Sequence, residues 1–266
     1  MTADSCFSGG QRFLAAPKLF PIGRGDYAIA CAGSTQYSFP LVEHIQRAFA
    51  LNRKLDDRAT DITDVVHLLE DIVNRCLHEE IAPEYATYPG EGPRFSMIFA
   101  GFSWKKKQPI LKILYFDWKK KKMRSSTPST IKGYKIAVIG DDVGGCRGKI
   151  HNRLEDDKKK GKALDMQPLD ILLDYISDTA YPSIGGYPQL IKIYPFSNIL
   201  PFGFLHEIDG STKNCKEYLN GTDQSGKHYF ITYYGRPLLK YETFPYPILE
   251  LKTKQIRYMY QRVGDT

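Results

Sequence analysis

The sequence has few of the features that mark a membrane or secreted protein. No apolar run approaches the roughly 20 residues that a membrane-spanning helix needs. Its five cysteines are scattered without C-x-x-C spacing. This pattern argues against a disulfide framework or a zinc site and favours reduced thiols. The first residues also lack the basic-then-apolar layout of a signal peptide. We therefore expect a cytoplasmic protein without a membrane partner.

Recognised metal and nucleotide motifs are absent as well. The six histidines are dispersed, and the acidic residues near His67 and His78 have no recognised ligand spacing. No glycine-rich nucleotide loop is present. We therefore expect no metal and no cofactor. The acidic turn Gly140–Gly145 could bind an ion, but an ordinary connection from a strand to a helix is the favoured interpretation.

The formal net charge of +7 comes largely from three lysine blocks. Lys105–Lys107 and Lys119–Lys122 lie at the ends of apolar, strand-like segments, and Lys158–Lys160 follows three acidic residues. Solvated turns and a charged helix face explain these blocks, and lysine at strand ends also discourages edge-to-edge association. Binding to nucleic acid or another acidic partner is the weaker alternative, because no nucleic-acid motif supports it.

The composition is that of a globular protein, with 42% hydrophobic and 13% aromatic residues in 266. Apolar residues at helical spacing predict an amphipathic helix over 38–52, behind the cap candidate Ser38, and a second one that starts near Thr60 or Asp61 and ends before Pro83. A further helix is predicted over Leu169–Ser177, preceded by a partly helical segment over Gly148–Lys162.

Runs of β-branched and aromatic residues predict the strands. In chain order these are a strand end before Asp4, a short strand at Lys18–Ile22, a buried strand at Tyr27–Ala32, a hairpin of Phe95–Ser103 and Ile110–Trp118, a strand at Tyr134–Ile139, a strand after Gly186 that ends at Ile193, and a C-terminal hairpin of Tyr229–Tyr234 and Pro237–Tyr241. Helices mixed with hairpins predict an α+β fold.

Three pieces near the N-terminus form an ordered pattern: Ala3–Ser5 (ADS), Lys18–Ile22 (KLFPI) and Ala28–Gly33 (AIACAG). A strand ending in A-D-S or A-D-T, then K-[IVL]-[FY]-x-[IL], then an apolar strand ending in A-G, is typical of N-terminal nucleophile hydrolases of the proteasome β-subunit and HslV type. The chain resembles that family over about residues 1–195.

The resemblance implies a four-layer αββα sandwich, in which two sheets lie between two helical layers. Residues 1–195 would form this domain, and residues 196–266 would form a C-terminal β-rich extension packed on the same domain. Family members assemble into rings, so the resemblance also implies a homo-oligomer and permits an AAA+ ATPase partner. Peptides or proteins would be the substrates.

The resemblance also implies a catalytic site. In the family, a Thr, Ser or Cys at the head of the first strand attacks the peptide bond, with its own α-amine as the base. Motif matching makes Lys18 the lysine that stabilises developing negative charge and Asp4 the carboxylate that holds it. The family's first strand has no counterpart before Ala3, so the nucleophile is expected upstream of Met1. Thr2 is a less favoured nucleophile, because it aligns with the second strand.

Two later parts of the family site are altered. Gly140–Asp142 (GDD) stands where the family has G-S-G, and Tyr181–Gly186 (YPSIGG) stands where it has D-x-x-S-G-G. These changes favour an alternative hypothesis, a catalytically inactive relative that serves as an oligomeric scaffold or binding module. The retained Asp4 and Lys18 favour the threonine-type peptidase hypothesis.

Overall fold

A computed structural model describes residues 1–7, 13–55, 60–77, 95–159, 161, 163–195, 198–207, 228–232, 246–251, 253 and 255–257. The fold is α+β, and the chain divides into two compact units. One unit contains Met1–Leu19, Leu172–Lys192 and Leu200–Thr266, and the other contains Phe20–Ile171 and Ile193–Ile199. Within the described ranges, no helix has the length and apolar character needed to cross a membrane. The domain boundary after residue 195 stays a prediction.

The described helices and strands follow each other in mixed order. They are β1 (Thr2–Ala3), β2 (Leu19–Ile22), β3 (Tyr27–Gly33), α1 (Thr35–Leu51), a short 3-10 helix (Arg53–Leu55), α2 (Ile62–Cys76), β4 (Phe95–Ser103), β5 (Gln108–Asp117), β6 (Lys122–Ser126), β7 (Thr130–Ile131), β8 (Tyr134–Lys135), α3 (Val143–Lys159), α4 (Gln167–Ser177), β9 (Gln189–Tyr194), β10 (Asn198–Glu207), β11 (His228–Ile231), β12 (Ile248–Glu250) and β13 (Ile256–Arg257).

A five-stranded sheet in the order β2-β3-β4-β5-β6 carries the largest core. Helices α1 and α2 pack against it and against each other. The stripe of α2 predicted from helical spacing is buried: Ile62, Val65, Val66, Leu69 and Val73. The α2 N-terminus is capped by Asp61, whose carboxylate accepts from the Thr63 N–H at 3.2 Å and from the Ser103 hydroxyl at 2.9 Å. This cap therefore ties the helix to strand β4.

A second sheet has the order β1-β9-β10-β12-β13, with β11 also paired to β10. Strand β1 is antiparallel to β9, with Thr2 opposite Leu190 and Ala3 opposite Gln189. Strand β10 is parallel to β12 and antiparallel to β11. The short strand β1 is thus joined in register to a strand that begins only at residue 189.

Helices α3 and α4 are joined by polar contacts. The Gln167 amide donates to the Asp157 carboxylate at 2.9 Å, and both side chains are buried. Arg153 lies 3.7 Å from Asp157 and 3.7 Å from Asp170. The buried amide–carboxylate bond satisfies two polar groups that would otherwise destabilise the contact.

Two of the predicted elements are wrong in their details. Helix α1 begins one turn before Ser38, at the N-cap Ser34, because Tyr37 packs against the core and keeps the first turn helical. The strand predicted at Tyr134–Ile139 forms strand structure only at Tyr134–Lys135, paired with Thr130–Ile131. Strand β6, which the polar sequence KMRSS did not indicate, pairs with Ile113–Asp117 of β5.

The C-terminal region was predicted only in part. Strand β10 was missed, since its sequence NILPFGFLHE contains a proline and a glycine that disfavour strands. The first strand of the predicted hairpin at Tyr229–Tyr234 corresponds to β11. Its partner at Pro237–Tyr241 lies outside the described residues.

Candidate functional site

The end of β1 positions the candidate carboxylate. Asp4 directly follows the last residue of this strand. The Ser5 N–H donates to the Gly185 carbonyl at 3.1 Å, and the Ser5 carbonyl accepts from the Ala16 N–H at 2.9 Å. The loop after β1 is therefore held at both ends by backbone bonds, which fixes where Asp4 emerges.

Asp4 and Lys18 form a direct ion pair. The Lys18 Nζ lies 2.7 Å from Asp4 Oδ1, and the two side chains are only 15% and 13% exposed. The second carboxylate oxygen, Asp4 Oδ2, accepts from the N–H groups of Cys6 and Gly185, each at 3.1 Å. The ammonium group also lies 5.9 Å from the centre of the Phe7 ring. Three donors thus orient the carboxylate, and the carboxylate orients the lysine.

Gln189, the first residue of β9, connects the two segments that carry this pair. It is fully buried. Its Oε1 accepts from the N–H groups of Lys18 and Leu19, at 3.0 and 3.3 Å. Its Nε2 donates to the carbonyls of Ala16 and Asp4, at 2.7 and 3.4 Å. One amide therefore fixes the backbone of both site residues. Sequence reasoning missed Gln189, although a polar residue leading an apolar strand is a signal that could have found it.

Ser5 and the turn before β9 close the other side of the loop. The Ser5 hydroxyl donates to the Leu14 carbonyl at 2.6 Å and accepts from the Tyr187 N–H at 2.6 Å. Gly186 has a φ of +73°, and a Cβ there would collide with the Leu14 carbonyl and the Ser5 hydroxyl. Glycine is needed at this position for both reasons.

Thr2, the third predicted site residue, lies within β1 and is half-buried. Among the described strands, β1 stands at the end of its sheet, with β9 on one side. The structure brings Asp4 and Lys18 together. Thr2 lies two residues before Asp4, in β1, and pairs with Leu190 of β9. An ammonium group oriented by a carboxylate can stabilise negative charge that develops beside it.

The Gly140–Gly145 turn begins helix α3. Asp142 Oδ1 accepts from the Gly145 N–H, and the Asp142 carbonyl accepts from the Cys146 N–H, both at 3.0 Å. Asp142 therefore caps helix α3. Burial, followed by the Asp142 charge, raises the pKa of the Cys146 thiol. Within the described residues, no group of His, Cys, Asp and Glu side chains is arranged to hold a metal ion.

Comparison with known proteins gives a similarity of fold. No protein-family model matches the chain, and no curated protein matches it. Among solved structures, the chain is similar to a chain of the helical assembly of the Anbu complex from Pseudomonas aeruginosa. The TM-score is 0.53 at 18% identity, over 75% of this chain and 78% of that chain. The similarity supports a related fold for the two chains.

Proposed function

We propose that this protein is a proteasome-like peptidase relative that hydrolyses peptide bonds with a terminal Thr, Ser or Cys. The observation that carries the proposal is the Lys18–Asp4 ion pair at the end of β1, with its 2.7 Å contact. An ordinary surface lysine is mostly exposed, whereas Lys18 is held in a polar network that also fixes its backbone. The αββα sandwich that the resemblance implies belongs to the same proposal.

In the proposed reaction, the nucleophile stands at the head of a strand that precedes β1 and pairs with its open side. Its α-amine titrates near neutrality and takes the proton from the hydroxyl or thiol. The Lys18 ammonium helps to ionise the nucleophile and stabilises the negative charge of the tetrahedral intermediate. Asp4 holds Lys18 and leaves its own second oxygen to the Cys6 and Gly185 N–H groups.

The test is peptide hydrolysis by protein isolated from its native locus. Lys18→Ala and Asp4→Asn should each reduce turnover by roughly 100-fold or more, because a preorganised charge is lost. Lys119→Ala, at an exposed turn, is the matched control and should keep full turnover. Size-exclusion profiles of all three variants should be unchanged. Turnover that survives Lys18→Ala would remove Lys18 from the mechanism.

Thr2 is tested separately. The proposal expects Thr2→Ala to keep turnover, since the residue lies inside β1. A complete loss of turnover in Thr2→Ala, with the fold intact by circular dichroism, would instead make Thr2 the nucleophile. Thr2→Ser would then restore part of the activity, because it keeps the hydroxyl.

A second candidate function is a non-catalytic, oligomeric scaffold or binding module. It is favoured by the Gly140–Asp142 turn, where Asp141 stands in place of the family's serine and Asp142 caps α3. A homo-oligomer is proposed under either function, with the helical assembly of the Anbu complex as support. An AAA+ ATPase partner belongs only to the peptidase proposal. The scaffold function would be favoured if the native protein assembles but hydrolyses no peptide, either alone or together with an ATP-driven unfoldase.

A further inference from the structure

One edge of the five-stranded sheet is incomplete. Strand β5 pairs with β4 from Gln108 to Tyr115. Its pairing with β6 covers only Ile113–Asp117, because β6 ends at Ser126. No backbone hydrogen bond from another described segment reaches residues 108–112 on that side. Among the described residues, 108–112 therefore form an open strand edge, although Pro109 offers no N–H donor.

A pocket lies beside this edge, between β5 and helix α2. We call it the cationic pocket. Its polar side carries Lys106, Lys112 and Lys135, and its apolar wall carries Val66, Ile110 and Leu111. The volume of about 280 Å³ is just below the range of whole-ligand pockets. A cavity of this size holds one or two side chains of a partner more readily than a complete cofactor.

The positive charge of the pocket is not neutralised from within the described residues. The nearby carboxylates have other partners: Asp64 lies 3.5 Å from Lys105, and Glu70 accepts from the Ser125 N–H at 2.8 Å. None of the three pocket lysines forms an ion pair in the described part of the chain. Lys112 donates to the Thr127 hydroxyl at 2.9 Å, which orients its ammonium group without compensating its charge.

We propose that the cationic pocket and the adjoining edge of β5 bind an acidic, extended segment of another polypeptide. The segment adds to the sheet beside residues 108–112, its backbone pairing with the open edge. Its side chains alternate between the two faces of the sheet, and its carboxylates lie on the face that carries the pocket, near the three lysines. The proposal does not depend on the peptidase proposal, since it needs no catalysis.

The chemistry of the pocket favours an acidic polypeptide over a nucleic acid. Single-stranded nucleic acids are held mainly by base stacking on aromatic rings and by arginine. The residues that line the pocket include no Phe, Tyr, Trp or Arg. A strand edge, in contrast, recognises a peptide backbone directly through hydrogen bonds.

Fluorescence anisotropy of the full chain tests the proposal. The probe is a labelled heptapeptide of alternating glutamate and valine, compared with the same peptide in which glutamate is replaced by lysine. The triple variant Lys106→Gln, Lys112→Gln, Lys135→Gln should bind the acidic probe at least about tenfold more weakly. The matched control Lys119→Gln, Lys120→Gln, Lys121→Gln removes the same charge from another turn and should change affinity less than about twofold.

A second probe tests the strand edge itself. Methylation of alternate amide nitrogens in the acidic peptide blocks backbone pairing but keeps its charge, so affinity should fall. If the triple variant is less stable than the wild type, Lys106→Gln with Lys135→Gln replaces it, because both side chains are exposed. Equal weakening by the control variant, no loss on methylation, or tighter binding of oligothymidylate at the same site would each overturn the proposal.

Discussion

Two acidic turns in this protein use aspartate in different ways. In the first, Asp4 accepts from Lys18 and from two backbone N–H groups, in a mostly buried network. In the second, Asp142 accepts from the Gly145 N–H and caps α3, while its neighbour Asp141 is exposed. The carboxylate of the first turn orients the Lys18 ammonium group, and the carboxylate of the second turn caps the start of α3. Under the proposed function, the charge at the Asp4 turn serves chemistry, whereas the charge at the Asp142 turn serves folding.

The largest expected effect is at the glycine that closes the Asp4 turn. Gly186→Ala should reduce the free energy of unfolding by roughly 3 kcal/mol, because positive φ and collision with Leu14 and Ser5 add together. Gly25→Ala is the control, since Gly25 has a φ of +84° but open space around it. It should cost only about 1 kcal/mol. Urea denaturation measures both, and equal losses would mean that the turn is not closely packed.

Gln189→Leu should have the next largest effect. The substitution removes the acceptor for the Lys18 and Leu19 N–H groups and the donor to Ala16, all close to the ion pair. Leaving such groups unpaired costs roughly 2–3 kcal/mol. Gln46→Leu, at an exposed position of α1, should leave stability nearly unchanged. If thermal denaturation gave the same midpoint temperature for the two variants, the result would contradict a structural role for Gln189.

The Asp4–Lys18 pair itself should show measurable coupling. A double-mutant cycle with Asp4→Asn and Lys18→Met should give an interaction energy of roughly 1–2 kcal/mol, between the ranges for exposed and fully buried pairs. The exposed pair Arg47–Glu43 on α1 is the internal reference and should give about 0.5 kcal/mol or less. Similar values for both cycles would show that the Asp4 network is no tighter than a surface contact.

The smallest effect is expected at the second turn. Asp142→Ala should destabilise the protein by about 1 kcal/mol through the lost helix cap, and Asp142→Asn by less, because the amide oxygen still accepts. Peptide turnover should not change in either variant. If Asp142→Asn lowered peptide turnover but left stability unchanged, Asp142 would have a role in the reaction. The contrast with Asp4 would then be weaker.

The sequence predicted the helices and strands better than it predicted the contacts of the candidate site. The helices α2 and α4 and the hairpin of β4 and β5 followed from apolar spacing, because each buries one face. The proximity of Asp4 and Lys18 was implied by a resemblance and not by spacing alone. Gln189 lies 171 residues beyond Lys18, and no local pattern reports a contact over that distance.

The failures have a common cause. The run Ile136–Ile139 is apolar enough for a strand, yet strand formation also needs a partner, and the pairing in this part of the chain is limited to Tyr134–Lys135 with Thr130–Ile131. Pairing is decided by the competition between segments, which a single sequence window does not contain. The cationic pocket was likewise invisible as a site, because its lysines come from separate segments that only the fold brings together.

The most direct test of the central claim is the N-terminal sequence and intact mass of the protein made from its native locus. The peptidase proposal predicts a mature chain that extends beyond Met1 and begins with Thr, Ser or Cys in a strand ahead of β1. A mature chain that begins at Met1 or Thr2 would contradict an upstream nucleophile. Activity would then rest on Thr2 alone, and the scaffold function would become the better account of this fold.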